Sequence, residues 1–281
     1  MMLRRRPHRF RPSRIKGLSF NRLIPNIFTV LALCAGLTAI RFGLQERWQA
    51  AVALVVIAAI LDGLDGRLAR LLGGTSKFGA ELDSLSDFLS FGVTPAILIY
   101  LWTFQGFSGF VGFGWATVLF FSTCCALRLA RFNTKIGEEM PAWAYNYFTG
   151  VPAPAGAGLA LLPMIVSFEV GSGLFSQPIL NAIWLVLVGL LFISRIPTFA
   201  FKRVKVPHHY VLPTLVGVGV LTAALASAPW VTLSLAGAAY IASIPFSMRS
   251  FQHLQREAAR VEAAAGMPVE PAEPPPTLPR P

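Results

Sequence analysis

Long runs without a charged residue constrain this 281-residue chain more than any other feature: 23–40, 48–61, 88–127, 140–168, 170–194 and 206–248. A helix crosses the hydrocarbon core of a bilayer with about 20 apolar residues. The two longest runs therefore hold two crossings each, with turns at the glycine-rich 105–114 and at 227–229. The pattern predicts an all-α, polytopic membrane protein with eight transmembrane helices over 23–43, 48–72, 77–104, 109–131, 146–167, 178–200, 208–226 and 230–248. On this reading Pro152 and Pro154 fall inside the fifth helix, where they free backbone carbonyls.

The formal net charge is +11, which in a water-soluble protein would raise the question of nucleic acid. Its distribution answers otherwise. With the N-terminus cytoplasmic, 22 of the 24 Lys and Arg fall on the cytoplasmic side of the eight helices, and only Arg41 and Arg47 fall on the other. That is the positive-inside bias of an inner (cell) membrane protein of bacterial type, and an even number of crossings returns the C-terminus to the cytoplasm. Three regions follow: a basic cytoplasmic segment 1–22, a transmembrane domain 23–248, and a cytoplasmic tail 249–281. The first segment leads into the first helix without a small-residue cleavage site. Its basic residues suit anionic headgroups, at about 1 kcal/mol each, with a solvated basic tail as the competing explanation. From Glu257 onward Ala, Glu and Pro dominate, a composition expected to be largely disordered. Cys34, Cys124 and Cys125 lie within predicted spans as small apolar residues, and no disulfide is expected.

The chain has four aspartates, all between positions 62 and 87, at the cytoplasmic ends of the second and third helices. Asp62 and Asp65 are spaced i, i+3 and Asp83 and Asp87 i, i+4, so each pair shares a helix face. Gly79 continues the second stripe. A turn at 73–76, with Ser76 as N-cap, folds the helices antiparallel and turns the acidic faces toward each other. Four converging carboxylates need compensation. Two divalent cations supply it, and hard oxygen ligands select Mg²⁺ or Mn²⁺. The four histidines lie at membrane edges or in tails, which leaves zinc without its usual ligands. Two such cations can stabilise both the attacking and the leaving oxygen at phosphorus, pointing to phosphoryl-group chemistry.

In full the motif reads Asp62-Gly63-Leu64-Asp65-Gly66-Arg67-Leu68-Ala69-Arg70, eight residues, Gly79, three residues, Asp83, three residues, Asp87. It resembles the signature of the CDP-alcohol phosphotransferases at every position. The resemblance implies that Asp62, Asp65, Asp83 and Asp87 hold metal and that Asp87 also takes the proton from the acceptor alcohol. It further implies that Gly66, Ala69, Arg70, Ser76 and Gly79, with Asn26 and Thr29 at the opening of the first helix, contact the CDP group of a lipid donor. For Asn26, Thr29 and Ser76 simple helix capping is the competing explanation. Homodimers are common in the family.

The stretch 78–92 resembles the phosphatidylserine synthase branch of that family, as do 126–133, 150–155 and 194–199. Ser84 and Phe88 stand where glycerol-phosphate enzymes generally carry Pro and Lys. The branch implies CDP-diacylglycerol as donor and L-serine as acceptor, with choline, glycerol 3-phosphate or inositol phosphate as alternatives. Arg128 and Arg131, spaced i, i+3 at the end of the fourth helix, and Arg195 are candidates to hold the serine carboxylate or the lipid pyrophosphate. Their competing explanation is topological charge. An ion transporter would place acids near the bilayer midplane and break paired helices in both halves. A structural membrane protein gives no reason to gather every aspartate in one hairpin.

Overall fold

The computed structural model describes residues 20–73, 76–105, 111–134, 147–199 and 210–264. The chain is mostly helical, and the helices come in the order expected: α1 (Phe20–Leu44), α2 (Trp48–Leu71), the continuous helical run α3 (Lys77–Phe104), α4 (Val111–Thr134), α5 (Ala153–Val170), α6 (Pro178–Ile193), α7 (Val211–Ser227) and α8 (Pro229–Ala264). Within α1, α3, α4, α5 and α8 lie stretches long and apolar enough to cross a membrane, and α6 and α7 are shorter apolar helices. Large apolar side chains point outward throughout. On α7 no residue is buried, and Leu212 is 72% exposed. So large an apolar surface would drive association in water. Against lipid it is an ordinary outer face.

The first two helices form a tight hairpin because small residues line their seam. Ala32, Ala35 and Ala39 of α1 and Ala51, Val52, Val55 and Ala58 of α2 are all buried where the helices meet. Removing side-chain bulk lets backbones approach, which is the main source of helix attraction where lipid cancels the hydrophobic effect. The reversal is made at Glu46, whose φ of 58° lets the amides of Gln45, Glu46 and Arg47 return to the carbonyls of Phe42 and Gly43. The Arg47 guanidinium then lies 4.6 Å from the centre of the Phe42 ring.

A row of hydroxyls fastens α3 to α1. Ser86 donates to the Thr29 carbonyl (3.1 Å), Ser90 to Ala32 (3.3 Å) and Thr94 to Gly36 (3.3 Å). The donors recur every four residues and their acceptors every three or four, so one face of each helix carries the row. Gly36 permits the approach, since a Cβ there would stand 2.7 Å from the Ser90 hydroxyl. Inside this row α3 widens into π turns over Phe88–Val93. Pro95 follows in the next turn and has no N–H to return to the Phe91 carbonyl, which removes one α-helical bond at that place. The core packs around these turns, with Phe91, Phe104, Phe121 and Phe192 fully enclosed and the rings of Phe121 and Phe192 5.2 Å apart.

Two helices are shorter than expected. The fifth begins at Ala153 rather than 146, and the sixth ends at Ile193 rather than 200. The residues released form a two-stranded antiparallel ribbon, β1 (Tyr147–Thr149) with β2 (Pro197–Phe199), pairing Tyr147 with Phe199 and Thr149 with Pro197. Pro197 stops α6 by disfavouring helix at Ile196. Pro152 is the N-cap of α5 and Pro154 lies in its first turn, where a missing N–H costs nothing. The two prolines therefore begin a helix; they do not interrupt one. Gly150 joins ribbon to helix with φ +79°, and a Cβ there would meet the Phe192 carbonyl at 2.8 Å. Helix α8 continues past Met248, where the sequence pattern ends the last span, as far as Ala264. Residues 1–19 and 265–281, most of the basic segment and the end of the tail, lie outside the described residues.

Candidate active site

The acidic hairpin forms because α2 ends and α3 begins within a few residues of each other. Helix α2 closes on Leu72, whose amide returns to the Leu68 carbonyl, and Gly73 follows with φ +58°. Ser76 caps α3 by accepting the Gly79 amide at 3.0 Å, as its position in the sequence predicts. The two acidic faces then meet. One carboxylate oxygen from each of Asp62, Asp83 and Asp87 lies within 4.8 Å of the others. Such a trio of hard oxygen donors, with no cationic side chain among the described residues paired to it within 4 Å, fits a divalent cation.

Asp65 stands next to this trio and is held separately. It is 4% exposed, and its carboxylate accepts a 2.7 Å hydrogen bond from the Thr29 hydroxyl. The Thr29 oxygen is also 3.1 Å from the Pro25 carbonyl. A hydroxyl has one proton to give, and the shorter, charge-assisted contact to Asp65 is the stronger. Thr29 thus orients a carboxylate from the neighbouring helix. The sequence marks Thr29 as a nucleotide contact or a helix cap and carries no signal for this partner 36 residues away.

Beside the acids opens a cleft of about 130 Å³ between α1, α2 and α3. It is lined by Pro25, Asn26 and Thr29 of α1, Asp65, Gly66 and Ala69 of α2, and Ser76, Gly79, Ala80 and Asp83 at the start of α3. Six of the seven residues selected as nucleotide contacts share this one cavity. The seventh, Arg70, is exposed at the end of α2, with Nη1 4.0 Å from the place a Gly66 Cβ would take. The two glycines serve different purposes. A Cβ at Gly79 would meet Asn26 Oδ1 at 2.9 Å, so packing against α1 requires its absence. At Gly66 nothing nearer than Arg70 would be met, so its bareness widens the cleft for something from outside the protein.

The three arginines considered for substrate differ sharply in surroundings. Arg128 is 8% exposed, its Nε has no hydrogen-bond partner among the described residues, and its electrostatic neighbours include Asp87, Cys125 and Tyr240. Arg131, one turn on, commits its fork to the backbone: Nη1 donates to the Ile193 carbonyl at 3.0 Å and Nη2 to Ser194 at 3.2 Å, with Thr149 and Phe192 at 3.4 Å. A guanidinium at the C-terminus of α6 satisfies its last carbonyls and opposes the helix dipole. Arg195 is exposed beside Arg131. A link absent from the sequence reading joins α4 to the acidic stripe: Asn133 Nδ2 donates to Ser84 Oγ at 2.8 Å.

Arg131→Leu should therefore lower stability in detergent by about 1–3 kcal/mol, the cost of stranding partly buried carbonyls, while leaving the KM of the acceptor alcohol unchanged. A melting curve paired with acceptor titration reads both, and an unaltered melt with a raised acceptor KM would move Arg131 into the substrate site.

Comparison with known proteins agrees with this geometry. The sequence profile described as CDP-alcohol phosphatidyltransferase matches residues 22–193, and a second, CDP-alcohol phosphatidyltransferase 2, matches 209–245. A CDP-diacylglycerol--serine O-phosphatidyltransferase of Mycobacterium leprae is 39% identical over 230 residues, covering 82% of this chain and 75% of that protein. One from Helicobacter pylori is 38% identical over 185 residues, 65% of this chain and 74% of that protein. An archaetidylserine synthase of Methanothermobacter thermautotrophicus is 34% identical over 178 residues, 62% of this chain and 68% of that protein. The profile match spans both acidic stripes and the whole cleft, and the chain belongs to the CDP-alcohol phosphatidyltransferase family.

Proposed function

We propose that this protein transfers the phosphatidyl group of CDP-diacylglycerol to the hydroxyl of L-serine, forming phosphatidylserine and CMP. The observation that carries the reading is the juxtaposition of the Asp62, Asp83 and Asp87 trio with a cleft whose walls leave room at Gly66. The relatives named as serine O-phosphatidyltransferases supply the donor and the acceptor.

In the reaction the serine oxygen forms a bond to the lipid-bearing phosphorus, and the bond from that phosphorus to the CMP oxygen breaks. Asp87 accepts the serine hydroxyl proton. Asn26, Thr29, Gly66, Ala69, Ser76 and Gly79 seat the CDP group, and Arg70 offers its fork to the phosphates at the cleft edge. Asp62, Asp65, Asp83 and Asp87 would hold two divalent ions, Mg²⁺ or Mn²⁺, which when bound would supply Lewis-acid stabilisation of charge at the phosphoryl group and lower the pKa of the attacking hydroxyl. The hydrogen bond from Thr29 fixes the orientation of the Asp65 carboxylate. Alignment of the reactants in a site that excludes water supplies much of the rate.

All eight helices cross the inner membrane in this reading, with both termini and the acidic hairpin on the cytoplasmic side, where CTP-derived donors and serine are found. The support is the charge distribution. Two copies assemble as a homodimer in the membrane.

Purified protein with CDP-diacylglycerol and Mn²⁺ or Mg²⁺ should release CMP when given L-serine. Choline, glycerol 3-phosphate and inositol phosphate, offered in parallel, should release none above background. CMP release with one of those three and not with serine would replace the acceptor while keeping the chemistry.

A further inference from the structure

The second profile match, 209–245, reaches into α8, and sequence reasoning assigned nothing in that helix to the site. Tyr240 lies there, on the inner face of α8, packed against the protein core. Its hydroxyl oxygen is buried and has no hydrogen-bond partner among the described residues. It lies beside Thr198 of β2 but outside hydrogen-bond geometry with it, and the Thr198 hydroxyl itself donates to the Gly150 carbonyl at 2.8 Å. The other electrostatic neighbour of Tyr240 is Arg128, the buried guanidinium whose Nε is also unpartnered. Two unrelated elements, α4 and α8, thus bring unused donors to one place.

A buried guanidinium without an ion-pair partner is costly, and so is a buried phenol without an acceptor. Both costs disappear if an anion with two acceptor oxygens enters between them. The location says which anion. The cleft described above is walled by α1, α2 and α3 only, and its acids are Asp65 and Asp83. Arg128 instead acts on Asp62 and Asp87, the two acids absent from that wall. Arg128 therefore joins Tyr240 to the neighbourhood of the proton-accepting carboxylate, and neither residue lines the cleft.

We propose that Tyr240 is a specificity-determining residue that, together with Arg128, receives the carboxylate of the amino-acid acceptor and presents its hydroxyl to Asp87. This rests on the reading of L-serine as the acceptor. The ribbon holds the second wall of the subsite in register: Tyr147 of β1 shares a 2.8 Å hydrogen bond with Ser250 of α8 and sets its ring 5.2 Å from that of Phe251. A helix outside the first profile match thereby contributes to the choice of alcohol.

Tyr240→Phe keeps the ring and removes one donor to a charged group. It should raise the KM for serine about tenfold, with kcat and the KM for CDP-diacylglycerol within about twofold of the parent. Arg128→Lys removes the Nε donor and should shift the same constant, and the double variant should lose less than the product of the two because both donors serve one carboxylate. Equilibrium binding of radiolabelled serine to Asp87→Asn protein, with and without Tyr240→Phe, reads the contact without turnover and should show the same tenfold loss. Unchanged serine binding and KM in Tyr240→Phe overturns the proposal. A rise in the donor KM with serine unaffected also overturns it, by assigning the pair to the lipid pyrophosphate. If the parent enzyme releases no CMP with serine, the activity reading fails instead.

Discussion

Replacing Asp87 by asparagine is expected to lower kcat by about 10³-fold or more while CDP-diacylglycerol still binds, because the change keeps the shape of the side chain and removes both a proton acceptor and a charge. The geometry supports so large an effect. Asp87 ends the first α-helical stretch of α3 at the residue before the π turns, and the Ser86 hydroxyl beside it is anchored to the α1 backbone at 3.1 Å. Its carboxylate meets those of Asp62 and Asp83, so a reacting hydroxyl delivered to the trio has this acceptor within reach. The cleft is lined by other residues and should keep its affinity for the nucleotide. Turnover by the Asn variant within tenfold of the parent, measured as CMP release under saturating donor and serine, would remove Asp87 from the role of base.

Asp62→Ala and Asp83→Ala should each abolish activity and also the stabilisation that Mg²⁺ or Mn²⁺ gives the parent protein. Binding to the folded state alone stabilises by about 2.7 kcal/mol at a hundredfold excess over Kd, enough to move a melting temperature by several degrees. With one of the three converging carboxylates gone the cation loses a ligand, and its concentration-dependent shift should collapse. Without added metal the same variants should melt no lower than the parent, since removing one of several crowded negative charges relieves repulsion. Melting curves across a metal titration test both statements. A metal-dependent shift equal to that of the parent in both variants would exclude these carboxylates as ligands.

Much of the architecture was open to reading from local pattern alone. Charge-free runs of defined length can only be helices in lipid, because each backbone group must be satisfied within its own segment. That made the order of eight helices legible, with boundaries in error where a proline moved them. The acidic hairpin was legible for the same reason: i, i+3 and i, i+4 spacing fixes a helix face whatever the rest of the chain does. Ser76 as a cap and Gly79 as a close approach were equally local.

What the tertiary structure decided involves partners far apart in sequence. Nothing near Asp65 in the chain announces its hydrogen bond to Thr29, 36 residues away. Arg128 and Arg131 share a helix face and look equivalent by spacing, yet one is buried with an unused donor while the other is consumed by carbonyls at the end of α6, more than 60 residues on. The ribbon of 147–149 with 197–199 replaced the ends of two expected helices because three-residue strands have no periodicity to detect and exist only once both helices have docked. Tyr240, in an apolar stretch like any other, acquired a polar neighbour only when α8 folded over β2 and α4. Local spacing determined which residues could share a face, and packing between distant segments determined what each of those faces would meet.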